Sequence, residues 1–172
     1  KTTISPKSYN NKYGVPLSLF NINQNDDYGV IEVGMDKKGE IDQLSKIIQP
    51  DISVITNINY AHAKNFKNIK QIALAKSEII DNTKDNGYVV LNADDTFFGL
   101  HRKIAYKKKI KVLSFGIKNK YADIKLHNII KFKKKYKICI KINKIKKDFI
   151  VSNDFQNYIY NILAALTVKS VF

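Results

Sequence analysis

Apolar positions along the chain alternate between two periodicities. Residues 28–34 form a short, mostly apolar run closed by Gly34, the pattern of a buried parallel strand. From Gly39 the apolar Ile41, Leu44, Ile47 and Ile48 recur at helical spacing, and Pro50 marks the stop. Residues 52–56 read as the next strand. A second helix runs from about 69 to 80, with Ile72, Ala73, Ala75, Ile79 and Ile80 available for packing. A third strand at 87–92, a helix near 97–106 and a fourth strand at 111–115 continue the alternation, and Asp85, Asn86 and Gly87 supply turn chemistry before the third strand. Strands alternating with helices predict an α/β fold with a doubly wound, mostly parallel sheet flanked by helices. Ligands of such sheets bind beyond the carboxyl ends of the strands, so reactive residues are expected just after each one.

The pattern changes after Ala122. Ile124 and Leu126, then Ile138, Ile140 and Ile142, alternate with polar residues, as antiparallel strands with one wet face do. Tyr158, Ile162, Ala165 and Leu166 suggest a closing helix. The 172 residues suffice for one domain with a sizeable core, and no repeat or low-complexity linker divides them. No apolar run approaches the roughly 20 residues of a membrane span, and the first residues lack the apolar core of a signal peptide. Cys139 is the sole cysteine, so no internal disulfide can form, which suits a reducing cytoplasm. It faces away from Ile138 and Ile140 with no predicted base beside it, and is not expected to be a nucleophile. A cytoplasmic location, no membrane partner and a monomeric state are expected.

Charge adds a rival reading. Lysine and arginine total 30 against 15 acidic residues, a net charge of +15. A basic nucleic-acid-binding α/β module would carry such a charge and bind with steep salt dependence. Arginine, which reads guanine bidentately, occurs only as Arg102. The lysines travel with abundant Ile and Asn, as codon bias in an AT-rich genome would produce. Much of the basicity lies in 131–147, where it alternates with apolar residues. Attraction to an anionic small molecule fits better, and no nucleic-acid partner is expected.

Four segments, taken in order, resemble Mur ligases of the MurF type. The first is Ser8-Tyr9-Asn10-Asn11-Lys12-Tyr13-Gly14-Val15-Pro16-Leu17. The second is Ile31-Glu32-Val33-Gly34-Met35 with Gly39-Glu40-Ile41. The third is Ile55-Thr56-Asn57-Ile58 through Ala61-His62, then Ala73-Leu74-Ala75-Lys76-Ser77-Glu78-Ile79. The fourth is Gln156-Asn157-Tyr158-Ile159-Tyr160-Asn161-Ile162-Leu163-Ala164-Ala165, similar to the family's adenine-side helix start. There Gln156 stands where a histidine is usual and Asp154 where a glycine is usual. These ligases add D-alanyl-D-alanine to UDP-N-acetylmuramoyl-tripeptide in peptidoglycan synthesis. Another Mur-type or folylpolyglutamate-type ligase shares the fold and the metal logic and is the alternative within ligases.

The resemblance implies ATP and Mg²⁺ as cofactors, and amide formation through an acyl phosphate. It implies that Glu32 and His62 help hold Mg²⁺, directly or through water, and that Lys76 is the lysine the family carbamylates. The modification has a physical rationale. Two like unit charges at 4 Å repel by about 4 kcal/mol at an effective dielectric of 20, and a divalent ion roughly doubles this. Carbamylation replaces the ammonium by an anionic oxygen ligand that a hard metal prefers. By the same resemblance Asn10 and Asn11 position substrate or phosphate groups. Thr56 and Asn57 follow a strand, where a hydroxyl and an amide are expected to meet the nucleotide or the metal's waters, and Asn157 is expected to bond adenine while Asn161 supports the loop.

Read without the resemblance, Lys76 is a solvated helix lysine and Glu32 a strand-end carboxylate capping a neighbouring helix. His62 is then a satisfied structural histidine, and Asn10 and Asn11 form a plain turn. His101 and His127 read as ordinary surface residues. Lys1-Thr2-Thr3 invites comparison with the end of a phosphate loop, but that loop needs glycines and a helix directly after it, whereas Ser5-Pro6 follows here. The expectation is a single central ATP-binding domain, without the phosphate loop, the UDP-substrate domain and the C-terminal domain, and therefore without ligase activity in isolation. A non-catalytic remnant is the third reading.

Overall fold

The structure, a computed structural model, describes residues 1–60, 65–132, 135–142 and 145–172, and only the backbone of Gln156 and Asn157. Backbone contacts divide the chain into two compact units: residues 1–51 with 59–84, and residues 52–58 with 85–172.

The first unit contains strand β1 (Thr2–Ile4), helix α1 (Gly14–Phe20), strand β2 (Tyr28–Val30) and helices α2 (Glu40–Ile48) and α3 (Ile69–Asp81). β1 and β2 pair in parallel from Thr2 opposite Tyr28 to Ile4 opposite Val30. Thr2 and Thr3 thus lie in a strand. The buried strand expected over 28–34 is shorter and more open: it ends at Val30, with Tyr28 44% and Val30 57% exposed. Beyond Val30 the backbone donors turn to a loop, Glu32 N to the Ser5 hydroxyl (3.0 Å) and Gly34 N to the Asn10 carbonyl (2.7 Å). Backbone groups satisfied this way have no need of a strand partner.

The Asn-Asn-x-x-Gly-Val-Pro segment starts a helix as well as making a turn. Asn11 Oδ1 accepts from the amides of Tyr13 and Gly14, both at 3.0 Å, satisfying donors at the start of α1. A Cβ on Gly14 would stand 2.5 Å from Tyr9 Cα, so only glycine lets the helix start so close to that backbone. Gly39, at φ 88°, begins α2 and has no side chain to cap it. Glu78 on α3 supplies the cap: its oxygens accept from Gly39 N (3.0 and 3.1 Å) and Asp42 N (3.1 Å). Asn82 adds bonds to the Asp42 carbonyl, the Asp42 carboxylate and the Ser45 hydroxyl. α2 buries Ile41 and Leu44, whereas Ile47 is 57% exposed; α3 buries Ile72, Ala73, Ala75 and Ile80.

The second unit is one six-stranded sheet in chain order. β3 (Ile52–Ile55), β4 (Tyr88–Asn92) and β5 (Lys111–Gly116) are parallel, and β6 (Ile124–Phe132) joins β5 in parallel over two residue pairs. β7 (Lys135–Ile142) and β8 (Ile145–Ser152) continue antiparallel. The fold is mixed α/β, with the expected switch from parallel to antiparallel pairing. β8 escapes a periodicity reading because three polar residues, Lys146, Lys147 and Asp148, interrupt it. The turn before β4 contains Asn86 at φ 64°, as its residue type allows.

Helices α4 (Phe98–Lys107) and α5 (Phe155–Lys169) pack on this sheet. α5 buries Phe155, Ile159, Leu163 and Ala164 against Val90, Phe115, Ile124, Ile138 and Ile140. Each of the larger of these side chains contributes about 1.5–3 kcal/mol when fully buried. The buried stripe is offset from the expected one: Tyr158 is 57% exposed and Ala165 is also exposed. α5 carries apolar residues on several faces, and the fit of Phe155 and Leu163 to the strands selects among them. His101 on α4 is buried at 2% exposure, which corrects the surface reading; His127 is exposed as expected.

Candidate functional site

Beyond the carboxyl ends of β3 and β4 lies a cleft of about 270 Å³, lined by Thr56, Asn57, Asn92, Asp94, Asp95, Thr96, Tyr160 and Asn161. The parallel pairing of Ile55 with Leu91 sets the two strand ends side by side, so Thr56-Asn57 and the Asn92-Ala93-Asp94-Asp95 turn emerge together. α5 adds Tyr160 and Asn161. The turn is braced internally: Asp94 N donates to Asn92 Oδ1 (3.0 Å), and Asp95 accepts from Ile58 N and Phe97 N, both at 2.8 Å.

Asp94 is held ionised. Burial pushes its carboxyl up, but the amides of Ile117, Lys118 and Asn119 and the Tyr160 hydroxyl more than offset this and leave it below the ordinary aspartate value. Burial, with Asp94 second, pushes the Tyr160 phenol up, so it stays a hydrogen-bond donor. The second unit carries 19 of the chain's 30 cations and only 6 of its 15 acids. Two of those acids line the cleft, along with amides, hydroxyls and no cation. Such a lining suits hydroxyl and amino donors better than a phosphate.

In the first unit, Asn10 Nδ2 donates to Glu32 Oε1 at 2.8 Å, while the Asn10 carbonyl accepts from Gly34 N. A Cβ on Gly34 would lie 2.9 Å from Asn10 Cγ, so the two loops touch with no room for a larger residue. Glu32 is exposed, and among the described residues no cation is paired with it. Its carboxylate caps no described helix; that role belongs to Glu78. Asn11 spends its carbonyl oxygen on α1. Lys76 stands half-buried on α3. His62 lies outside the described residues, as does the side chain of Asn157. Among the described residues no group of three His, Cys, Asp or Glu is placed to hold a metal.

The sequence matches the profile of the Mur ligase middle domain over residues 1–169. The chain belongs to that family. Over 124 residues it is 43% identical to the UDP-N-acetylmuramoyl-tripeptide–D-alanyl-D-alanine ligase of Buchnera aphidicola from Acyrthosiphon pisum, covering 70% of this chain and 26% of that protein. It superposes on MurF from Acinetobacter baumannii with a TM-score of 0.87 at 28% identity, covering 97% of this chain and 36% of that one. On the MurF ligase from Thermotoga maritima in complex with ADP the TM-score is 0.86 at 26% identity, covering 99% and 39%. The chain spans about a quarter of the length of the curated relatives it matches.

Within this Mur ligase middle domain the structure brings together Asn10 with Glu32, and Thr56 and Asn57 with Asn161. Sequence reasoning missed Asn92, Asp94, Asp95, Thr96 and Tyr160. For Asp94, Asp95 and Thr96 the signal was the position just after β4, where an acidic pair interrupts a lysine-rich half of the chain; Asn92 ends that strand, and Tyr160 lies on α5 with no such signal. Cys139 lies opposite Asp148 across β7 and β8, and Asp148 pairs with Lys137 at 2.8 Å. Burial, then the hydrogen bond to Asp148, pushes the thiol above its ordinary value, which agrees with a non-nucleophilic cysteine.

Proposed function

We propose that this chain is the nucleotide-binding middle domain of a cytoplasmic ligase that uses ATP to join D-alanyl-D-alanine to UDP-N-acetylmuramoyl-tripeptide. The observation that supports it most is superposition of almost the whole chain on a MurF ligase solved with ADP. In this reading the cleft of Thr56, Asn57 and Asn161 takes the nucleoside end of ATP. Its amides and hydroxyls suit the polar, uncharged edges of a nucleoside, and its lack of cations leaves the phosphates to lie elsewhere.

The donor chemistry of the first unit fits Mg²⁺, a hard ion bound by oxygen ligands. Glu32 offers an exposed carboxylate whose orientation Asn10 fixes by a hydrogen bond. Glu32, His62 and a carbamylated Lys76 would hold the ion, and Asn10 and Asn11 position phosphate or substrate. The bound ion would neutralise charge on the transferring phosphoryl group. The substrate carboxylate takes that group, and the dipeptide amine then displaces phosphate to form the amide.

The test is a chimaera in which residues 1–169 replace the matching segment of the Buchnera ligase. The chimaera should form the pentapeptide product from ATP, UDP-tripeptide and D-alanyl-D-alanine, read by mass spectrometry. Lys76→Ala should abolish product while leaving the fold intact by circular dichroism. A folded chimaera that turns over other amino-acid acceptors but not D-alanyl-D-alanine would overturn the substrate assignment.

A further inference from the structure

Asp94 gathers donors from two elements beyond its own strand. Its oxygens accept from the amides of Ile117 (2.6 Å), Lys118 (3.0 and 3.1 Å) and Asn119 (2.7 Å), in the turn after β5. The fourth donor is the Tyr160 hydroxyl on α5, at 3.1 Å. Successive backbone amides form an anion-holding concavity, and here the protein's own carboxylate fills it. A Cβ on Gly116 would stand 3.0 Å from Asp94 Oδ1, so the β5 exit closes tightly on the carboxylate. Asn119 closes the ring by donating to the Ala93 carbonyl at 3.1 Å.

Tyr160 is the immediate neighbour of Asn161, and both line the cleft. A phenol tethered at its far end fixes its own rotamer and limits rotation of that turn of α5. The bond reaches from the turn after β4 to α5 across 66 residues of sequence, so it sets the cleft's width as well. We propose that Asp94 and Tyr160 form a latch that positions Asn161, and that this latch determines how tightly the cleft holds the nucleoside end of ATP. Both are positioning residues and neither touches the reacting atoms. The inference rests on the reading, given above, that this cleft takes a nucleoside.

The test uses the chimaera described under the proposed function, with Tyr160→Phe as the main variant because it removes one hydroxyl and leaves the packing ring. The KM for ATP should rise at least about threefold, a fraction of the roughly tenfold that a lost hydrogen bond to a charged group is worth, because the bond acts on the nucleoside only through Asn161. The kcat and the KM for UDP-tripeptide should stay within about twofold, a split that general loss of structure would not give. Asp94→Asn should raise the KM for ATP at least as much; if that variant fails to fold, Tyr160→Phe carries the test alone. Asn161→Ala separates the two readings. If it raises the KM for ATP and Tyr160→Phe does not, the latch is overturned and the nucleoside cleft stands. If neither variant moves that KM, the nucleoside reading fails and the latch falls with it. A Tyr160→Phe enzyme that loses kcat and thermal stability at an unchanged KM for ATP would reduce the pair to a structural brace and overturn the proposal.

Discussion

Replacing Glu78 by alanine should destabilise the first unit by about 2 kcal/mol, a value that follows from its hydrogen bonds. The carboxylate accepts from two backbone donors, Gly39 N and Asp42 N, at the start of α2. Hydrogen bonds to charged groups contribute about 1.5–3 kcal/mol each. Glu78 is half-buried, so water partly replaces it once it is gone. Gly39 has no side chain to take over, and loss of a helix cap alone costs about 1 kcal/mol. Attraction to the helix dipole adds little, because Glu40 and Asp42 already occupy that first turn and repel a third carboxylate. Hydrogen bonding therefore outweighs Coulomb attraction, and two consequences follow. Glu78→Gln, which keeps an acceptor, should cost only about 1 kcal/mol, and the Glu78→Ala loss should depend weakly on salt. For a chain of this size 2 kcal/mol corresponds to a fall in Tm of about 4–8 °C. Thermal unfolding followed by circular dichroism measures it, and amide exchange at Gly39 and Asp42 should accelerate. An unchanged Tm with unchanged exchange at both amides would refute the reasoning.

Three further outcomes are expected. Asp94 has a folded pKa below its ordinary value, so its ionised form stabilises the second unit above about pH 4, and that contribution is lost as pH falls through the folded pKa. In denaturant titrations the stability gap between the natural protein and Asp94→Asn should narrow below about pH 4; a gap constant from neutral to strongly acidic pH would contradict it. Gly34→Ala should push Asn10 off Glu32, since the new Cβ meets the Asn10 side chain at 2.9 Å. If Glu32 holds Mg²⁺ as proposed, the Mg²⁺ concentration for half-maximal activity of the chimaera should then rise about tenfold, and an unchanged requirement would detach this contact from the metal. Cys139 should alkylate more slowly than a free thiol at neutral pH, with the inflection of its pH–rate profile above the ordinary cysteine value; faster alkylation would count against the burial argument.

The sequence by itself determined the order and type of most elements. Apolar runs at 52–55, 88–92 and 111–115 are strands because the chain buries them in a sheet, and Ile72, Ala73, Ala75 and Ile80 fall on one face of a helix. The acidic pair after β4 sits where such a sheet carries chemistry, yet the sequence reading passed over it both as a site and as a partner for α5. What periodicity could not decide was set by contacts between distant residues. β2 ends at Val30 because Ser5 and Asn10 take the amides that follow. Glu78, read as part of a motif, proved to be the cap of another helix. His101 is buried although a lone histidine within a basic helix reads as exposed. Of the candidate site, Asn10 with Glu32 and Thr56-Asn57 with Asn161 are joined only by the tertiary structure. Hydrogen bonds and packing join groups 22 to 105 residues apart, whereas a local pattern fixes only which face of its own element a residue occupies.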